Sequence, residues 1–260
     1  MRIKFQNNAN KLSKKYSRYS LKISIIREHS MIIFQNVSKF YKINSHQTTA
    51  LEDASFTINP KEFVSLVGKS GAGKSTIVKL LIAEEKPTKG KVIFGSYDVN
   101  KIKHRELPHL RRRIGVIFQD FRLLPNKTSF ENVAFALEVA GRLQSDIETF
   151  VPQALEMVGL KDKMFNFPKE LSGGEKQRVA IARAMINHPD VIIADEPTGN
   201  LDPINAWEII RLLLKINELG TTVLLATHNK EIINYLNRRV INLENGRVIR
   251  DEENGKYILV

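Results

Sequence analysis

The chain has 260 residues, 42% of them hydrophobic, enough to bury a sizeable core as one domain or as a domain carrying an inserted subdomain. It contains no cysteine, which excludes disulfides and thiolate zinc sites and fits a reducing compartment, and no apolar run of the 18 or more residues that a membrane span needs. The formal net charge is +12; residues 1–30 carry eight basic side chains against Glu28, or +7, so the remaining 230 residues carry only +5.

Residues 1–30 are rich in Lys, Ser and Asn and lack the apolar core of a secretory signal. They read as a disordered basic tail or as an extension upstream of a natural start at Met31; lysine outnumbers arginine there, which argues against an organelle transit peptide. Strand-like runs follow at 32–37, 56–58, 63–67 and 91–94, with turns marked by Pro60 and by residues 87–90. A further buried strand is expected at 114–118. The texture then changes: 129–140 and 146–158 show helical spacing of apolar residues, broken by Gly141 and Gly159. Strand character returns at 191–194 and 222–226, with 203–219 as the helix between them. This order describes a sheet-and-helix lobe interrupted by a helical insert, without internal repeats.

Residues 68–75, GKSGAGKS, fit the pattern G-x-x-x-x-G-K-[ST] and stand between an apolar strand and a helix-forming run, the context in which that pattern cradles phosphate. Gly68, Gly71 and Gly73 carry no Cβ, so the chain can curl and turn its N–H groups towards phosphate oxygens, helped by the positive end of the following helix. Lys74 supplies a charge at the β- and γ-phosphates, Ser75 a hydroxyl to Mg²⁺, and Thr76 lies near the α-phosphate. The run 191–194 ends in Asp195 and Glu196. Two carboxylates at the end of a buried strand call for a cation and a proton partner, so Asp195 is assigned to Mg²⁺ and Glu196 to the water that attacks the γ-phosphate.

Residues 171–175, LSGGE, precede a helix at 176–184. Ser172 can cap it and the paired glycines leave N–H groups open to an anion. The chain already has one nucleotide loop, so this second phosphate site makes most sense when offered to another copy. Taken singly, the segment would equally be an ordinary helix cap, His228 a packed histidine, and Tyr41 either a stacking or a core residue. Trp207 reads as packing.

Taken together, Tyr41, residues 68–76, Gln119, residues 171–175, Asp195-Glu196, residues 199–202 and His228 resemble, in composition and order, the ABC-type ATP-binding subunits, over residues 31 to about 255. The resemblance implies an α/β fold: a RecA-like P-loop core (31–119 and 190–260) with a β-subdomain and an inserted helical subdomain (120–189). It implies two copies pairing head-to-tail around two ATP molecules. Tyr41 would stack on adenine, and Gly68, Lys69, Ser70, Gly71, Ala72, Gly73, Lys74, Ser75 and Thr76 would hold the phosphates. Ser172, Gly173, Gly174, Glu175 and Asp202 would approach them from the other copy. Ser75, Gln119 and Asp195 would serve Mg²⁺, and Glu196, His228 and Gln119 hydrolysis. Within that group, residues 117–128, 131–139, 194–203 and 226–229 look like the bacterial cell-division ATP-binding family FtsE in its Gram-positive form. That likeness implies an FtsX-like integral membrane partner, a peripheral position on the cytoplasmic face of the cell membrane, control of peptidoglycan hydrolases, and no direct nucleic-acid partner. The alternative is the ATPase subunit of a transporter or of a lipoprotein-release or macrolide-efflux system. Lys69 and Asn229 depart from the commoner residues of the pattern without removing a catalytic group, and residues 1–30 have no counterpart in it.

Overall fold

The computed structural model describes residues 31–43 and 46–256; the expectation for residues 1–30 lies outside them. Strands β1 (Ile32–Ile43) and β2 (His46–Ile58) form a long antiparallel hairpin, and β1 also pairs antiparallel with β4 (Lys89–Phe94), which is followed by β5 (Tyr97–Asp98). The expected runs 32–37 and 56–58 are only the buried ends of this hairpin. Its outer half is polar because residues such as Lys42, Gln47 and Thr48 face solvent, so hydrophobic alternation does not reveal it. Phe34 and Phe56 stack across the buried end with ring centroids 4.5 Å apart.

A second sheet has the order β10-β9-β3-β8-β7-β6, built from β3 (Phe63–Val67), β6 (Ile114–Phe118), β7 (Val191–Asp195), β8 (Thr222–Thr227), β9 (Arg239–Glu244) and β10 (Arg247–Glu252). The first five of these in chain order run parallel and β10 returns antiparallel at the edge. Side chains of the central strands alternate between two cores. Ile192, Ala194, Val223 and Leu225 face one, while Val191, Ile193, Leu224 and Ala226 face the other. The first core is filled by helices α3 (Ser129–Val139), α4 (Gln144–Met157), α5 (Gly173–Met185) and α6 (Pro203–Glu218). The second is closed by α1 (Lys74–Leu81) and the hairpin sheet, with the short α2 (Leu107–Arg112) beside it. Helix α7 (Lys230–Leu236) follows β8.

The expectations for 63–67 and 114–118 coincide with β3 and β6. Strands β5, β9 and β10 and helices α2 and α7 are additions. The β9–β10 hairpin carries a readable signal, an Asn245-Gly246 turn with φ of 47° and 80° at its two residues. The topology brings the carboxyl ends of β3, β6, β7 and β8 together, and Gly68, Gln119, Glu196 and His228 are the residues that follow those ends.

Candidate functional site

The loop between β3 and α1 owes its shape to two kinds of glycine. Gly71 and Gly73 have φ of 82° and 108°, the left-handed region that a side chain resists. Gly68 has no such requirement: a Cβ there would stand 2.4 Å from the Leu243 carbonyl oxygen on β9. Gly73 is the N-cap of α1 and provides no side-chain cap, so the first N–H groups of the helix have no side-chain acceptor at that cap. Lys74 is 8% exposed, and its ammonium donates to the Gly68 carbonyl at 2.7 Å and the Lys69 carbonyl at 3.3 Å. The loop thus holds the charge over its own concave face. Thr76 is buried within the first turn, whereas Lys69 and Ser70 are exposed.

Glu196 follows β7 with a left-handed φ of 47°, and its carboxylate lies between two groups from different elements. Its Oε1 is 3.7 Å from Lys74 Nζ and 2.8 Å from Nδ1 of His228, which follows β8. Asp195 is more deeply set. Its Oδ2 accepts from Ser75 Oγ at 3.2 Å, while its Oδ1 is buried without a protein hydrogen-bond partner. Burial pushes the Asp195 carboxyl above its ordinary range, the Ser75 bond acting the other way and Glu196 adding to the rise. A hydroxyl and a carboxylate with an unused oxygen are hard oxygen donors, so the residues present fit Mg²⁺.

Gln119 is tied to the segment after β7. Its Nε2 donates to Asn200 Oδ1 at 3.2 Å, and Asn200 Nδ2 donates back to the Gln119 carbonyl at 3.1 Å. A Cβ at Gly199 would come within 2.8 Å of the Gln119 amide, so glycine there permits the close approach. The chain then turns through Phe121 and Arg122, both left-handed with φ of 59° and 46°. Arg183, near the end of α5, donates to the carbonyls of exactly these two residues, at 2.9 Å to Phe121 and 2.6 Å to Arg122. Burial pushes its guanidinium pKa down. The completely buried Asn132 of α3 accepts from Leu124 N–H and donates to the carbonyls of Leu124, Lys127 and Thr128. Arg183 and Asn132 are functional candidates that the sequence reading missed, since their partners are carbonyls of any residue type and leave no pattern.

The second expected phosphate site is the N-terminus of α5. Ser172 caps it, accepting from Glu175 N–H at 3.3 Å, while Glu175 Oε2 accepts from Ser172 N–H at 2.8 Å. The other Glu175 oxygen binds Lys163, which holds the carboxyl below its ordinary range. The space at Gly174 is closed by Asn205, whose amide is held by Asp202, the N-cap of α6. Asp202 accepts from the Ile204 and Asn205 N–H groups, and the Asn205 side chain lowers its pKa first. Gly173 faces Leu201, Asn200 and Phe121. Tyr41 lies half-buried on β1 with the Lys39 ammonium 5.0 Å from its ring centroid; the partner strand β2 reaches the loop through Ala50, whose carbonyl oxygen lies 2.6 Å from where a Gly73 Cβ would stand.

A glycine loop with a buried lysine, a strand-end Asp-Glu pair, a reciprocally bonded Gln and a capped Ser-Gly-Gly helix define the nucleotide site of an ATP-binding cassette. The model of the ABC transporter family matches residues 51–199. The chain is 54% identical over 221 residues to the cell division ATP-binding protein FtsE of Bacillus subtilis, covering 85% of this chain and 97% of that one. It is 52% identical to the FtsE of Mycobacterium tuberculosis (87% and 98% covered) and 48% identical to that of Escherichia coli (84% and 97%). Among solved structures, a dimeric post-hydrolysis state of the ATP-binding cassette MJ0796 bound to ADP and Pi superposes with a TM-score of 0.79 at 36% identity, covering 87% of this chain and all of that one. The chain belongs to the ABC transporter ATP-binding family and, within it, to the cell-division ATP-binding proteins FtsE.

Proposed function

We propose that this chain is the ATPase of a cell-division machine: two copies close head-to-tail around two ATP molecules and drive an FtsX-like integral membrane protein that controls peptidoglycan hydrolysis. The observation that carries the reading is the position of Glu196 Oε1, 2.8 Å from His228 at the end of the neighbouring strand and 3.7 Å from Lys74 at the start of α1. Lys74 and the N–H groups of residues 68–76 hold the phosphates. Glu196 accepts a proton from the attacking water, and His228 orients the Glu196 carboxylate and reaches the γ-phosphate. Ser75, Asp195 and Gln119 would hold Mg²⁺, which when bound offsets charge on the β- and γ-phosphates. Tyr41 stacks on the adenine. Ser172, Gly173, Gly174, Glu175 and Asp202 are offered to the nucleotide of the other copy, a reading supported by the dimer described for MJ0796.

In this reading residues 31–119 and 190–260 form the nucleotide-binding core and residues 120–189 a helical subdomain. The loop at 121–128, gripped by Arg183 and Asn132, is where the membrane partner docks, so that closure of the copies is transmitted to it. Among the described residues no helix is long and apolar enough to cross a membrane. In this reading the membrane partner recruits the chain to the cytoplasmic face. Glu196→Gln should bind Mg-ATP, hydrolyse it at least about a hundredfold more slowly, and accumulate as a dimer on size exclusion. A monomer in saturating Mg-ATP sinks the head-to-tail mechanism. Tagged Glu196→Gln held ATP-bound in its native host should co-purify an FtsX-like protein without a substrate-binding protein. Recovery of a permease instead moves the chain to transport, and of ribosomes without membrane protein overturns both.

A further inference from the structure

Beyond residue 30, basic and acidic residues balance in number outside one segment. Residues 101–113 contain six basic side chains against Glu106, a net +5, equal to the whole net charge of residues 31–260. Val99, Ile102 and Leu110 are buried in the core beneath the segment, which turns Lys101, Lys103, Arg105 and Arg111 outward, whereas Arg113 is turned inward and paired with Asp190. Lys101, Lys103 and Arg105 are exposed and have no carboxylate partner among the described residues, while Glu106 is occupied with the Lys103 N–H. Arg111 donates to the carbonyls of Ile82 and Ala83 after α1, and Arg112 to the Val139 carbonyl at the end of α3. Carbonyl partners place these guanidinium groups without neutralising them.

The contact with Val139 extends the surface. Arg142 stands three residues on, just past Gly141, and Val139 and Leu143 are 61% and 72% exposed. Cations around projecting aliphatic side chains match the boundary between lipid headgroups and acyl chains, whereas a phosphate backbone that takes up the cations leaves the aliphatic side chains in water. The surface lies at the far end of α3 from the loop gripped by Asn132, about 16 Å along that 11-residue helix. We propose that this surface, formed by Lys101, Lys103, Arg105, Arg111, Arg112 and Arg142 with Val139 and Leu143 at its margin, binds anionic phospholipid directly. The chain thereby holds the bilayer itself as well as its membrane partner. The proposal rests on the reading of the chain as the ATPase of a membrane machine.

The test uses the full chain with vesicles of phosphatidylglycerol and phosphatidylcholine, or of phosphatidylcholine alone, with no membrane protein present. A basic residue near an anionic surface contributes roughly fivefold in partitioning. Lys101→Glu/Lys103→Glu/Arg105→Glu should therefore lower co-sedimentation with phosphatidylglycerol vesicles at least tenfold. Arg211→Glu/Arg238→Glu/Lys256→Glu, equal in charge and elsewhere on the surface, should change it less than about twofold. Val139→Ser/Leu143→Ser should weaken binding severalfold and leave its salt dependence intact. Equal losses in both charge-reversed proteins overturn the proposal, because bulk charge or residues 1–30 would then account for binding. Equal binding to phosphatidylcholine alone overturns it too. Loss of duplex DNA binding in the first variant with vesicle binding unchanged assigns the surface to nucleic acid and overturns it. Basal ATP hydrolysis, measured alongside, should be unchanged in every variant. A negative vesicle result with normal hydrolysis removes the lipid surface and leaves the ATPase reading standing.

Discussion

The N-termini of α1 and α5, both proposed to face phosphate, are built in opposite ways. At α1 the cap is Gly73, with φ of 108° and no side-chain bond. At α5 Ser172 and Glu175 close a capping box, Lys163 reinforces it, and Asn205 closes the space at Gly174. The first terminus therefore keeps its donors for a ligand, and the Lys74 ammonium adds to its positive field, so that only an anionic ligand balances it. The second is stable in its own right and presents a finished surface. In the proposed arrangement a nucleotide's own site can be completed by the nucleotide, whereas a site offered to a second copy has to exist before that copy arrives.

Breaking the first terminus should have the largest effect. Lys74→Ala removes the charge at the phosphates, worth about 1.5–3 kcal/mol for a bond to a charged group, so ATP affinity should fall roughly 10- to 100-fold in a nucleotide titration. Unchanged affinity contradicts the role of Lys74. Next, Arg183→Met at the far end of α5 leaves the Phe121 and Arg122 carbonyls without their donor and should cost about 2 kcal/mol in denaturant unfolding. If Arg183 transmits closure to the docking loop, Arg183→Met also uncouples hydrolysis from the membrane partner while ATP affinity of the single chain stays normal. Rescue of coupling by Arg183→Lys separates positioning from packing.

Ser172→Ala tests the prebuilt terminus. It should cost about 1 kcal/mol of stability through the lost cap, leave single-chain ATP affinity unaltered, and reduce ATP-driven dimerisation measured by light scattering. A loss of affinity in the single chain would contradict the assignment of Ser172 to the other copy's nucleotide. The smallest effect belongs to Glu175→Gln, which keeps the capping box and loses only the charge paired with Lys163, for less than about 1 kcal/mol. The sign in pH is set by the lowered pKa of Glu175. Its contribution is complete above the ordinary carboxylate range and disappears as pH falls through its depressed value. The difference between wild type and Glu175→Gln should accordingly vanish in acid and reach its plateau near neutrality; a constant difference across pH would exclude the ion pair as its source.

The outcome along the chain shows which kinds of residue announce themselves. Residues 68–76 and Asp195-Glu196 were legible because their chemistry needs residue types at fixed spacing next to a strand, and the structure places them as that spacing requires. The polar half of the β1–β2 hairpin was not legible, since its stability comes from pairing and not from a buried face. The β9–β10 hairpin is legible through its Asn245-Gly246 turn.

By itself the sequence determined the phosphate loop, the strand-end carboxylates and the capped Ser-Gly-Gly helix, because each depends on backbone conformations and bonds within a few residues. Only the tertiary structure decided that Glu196 Oε1 lies between Lys74 and His228, that Gln119 and Asn200 hold one another, and that Arg183 grips the turn at Phe121 and Arg122. These contacts join residues 32 to 122 positions apart, with carbonyls or single polar atoms as partners. Their geometry follows from the order in which parallel strands pack, which no local pattern of residues encodes.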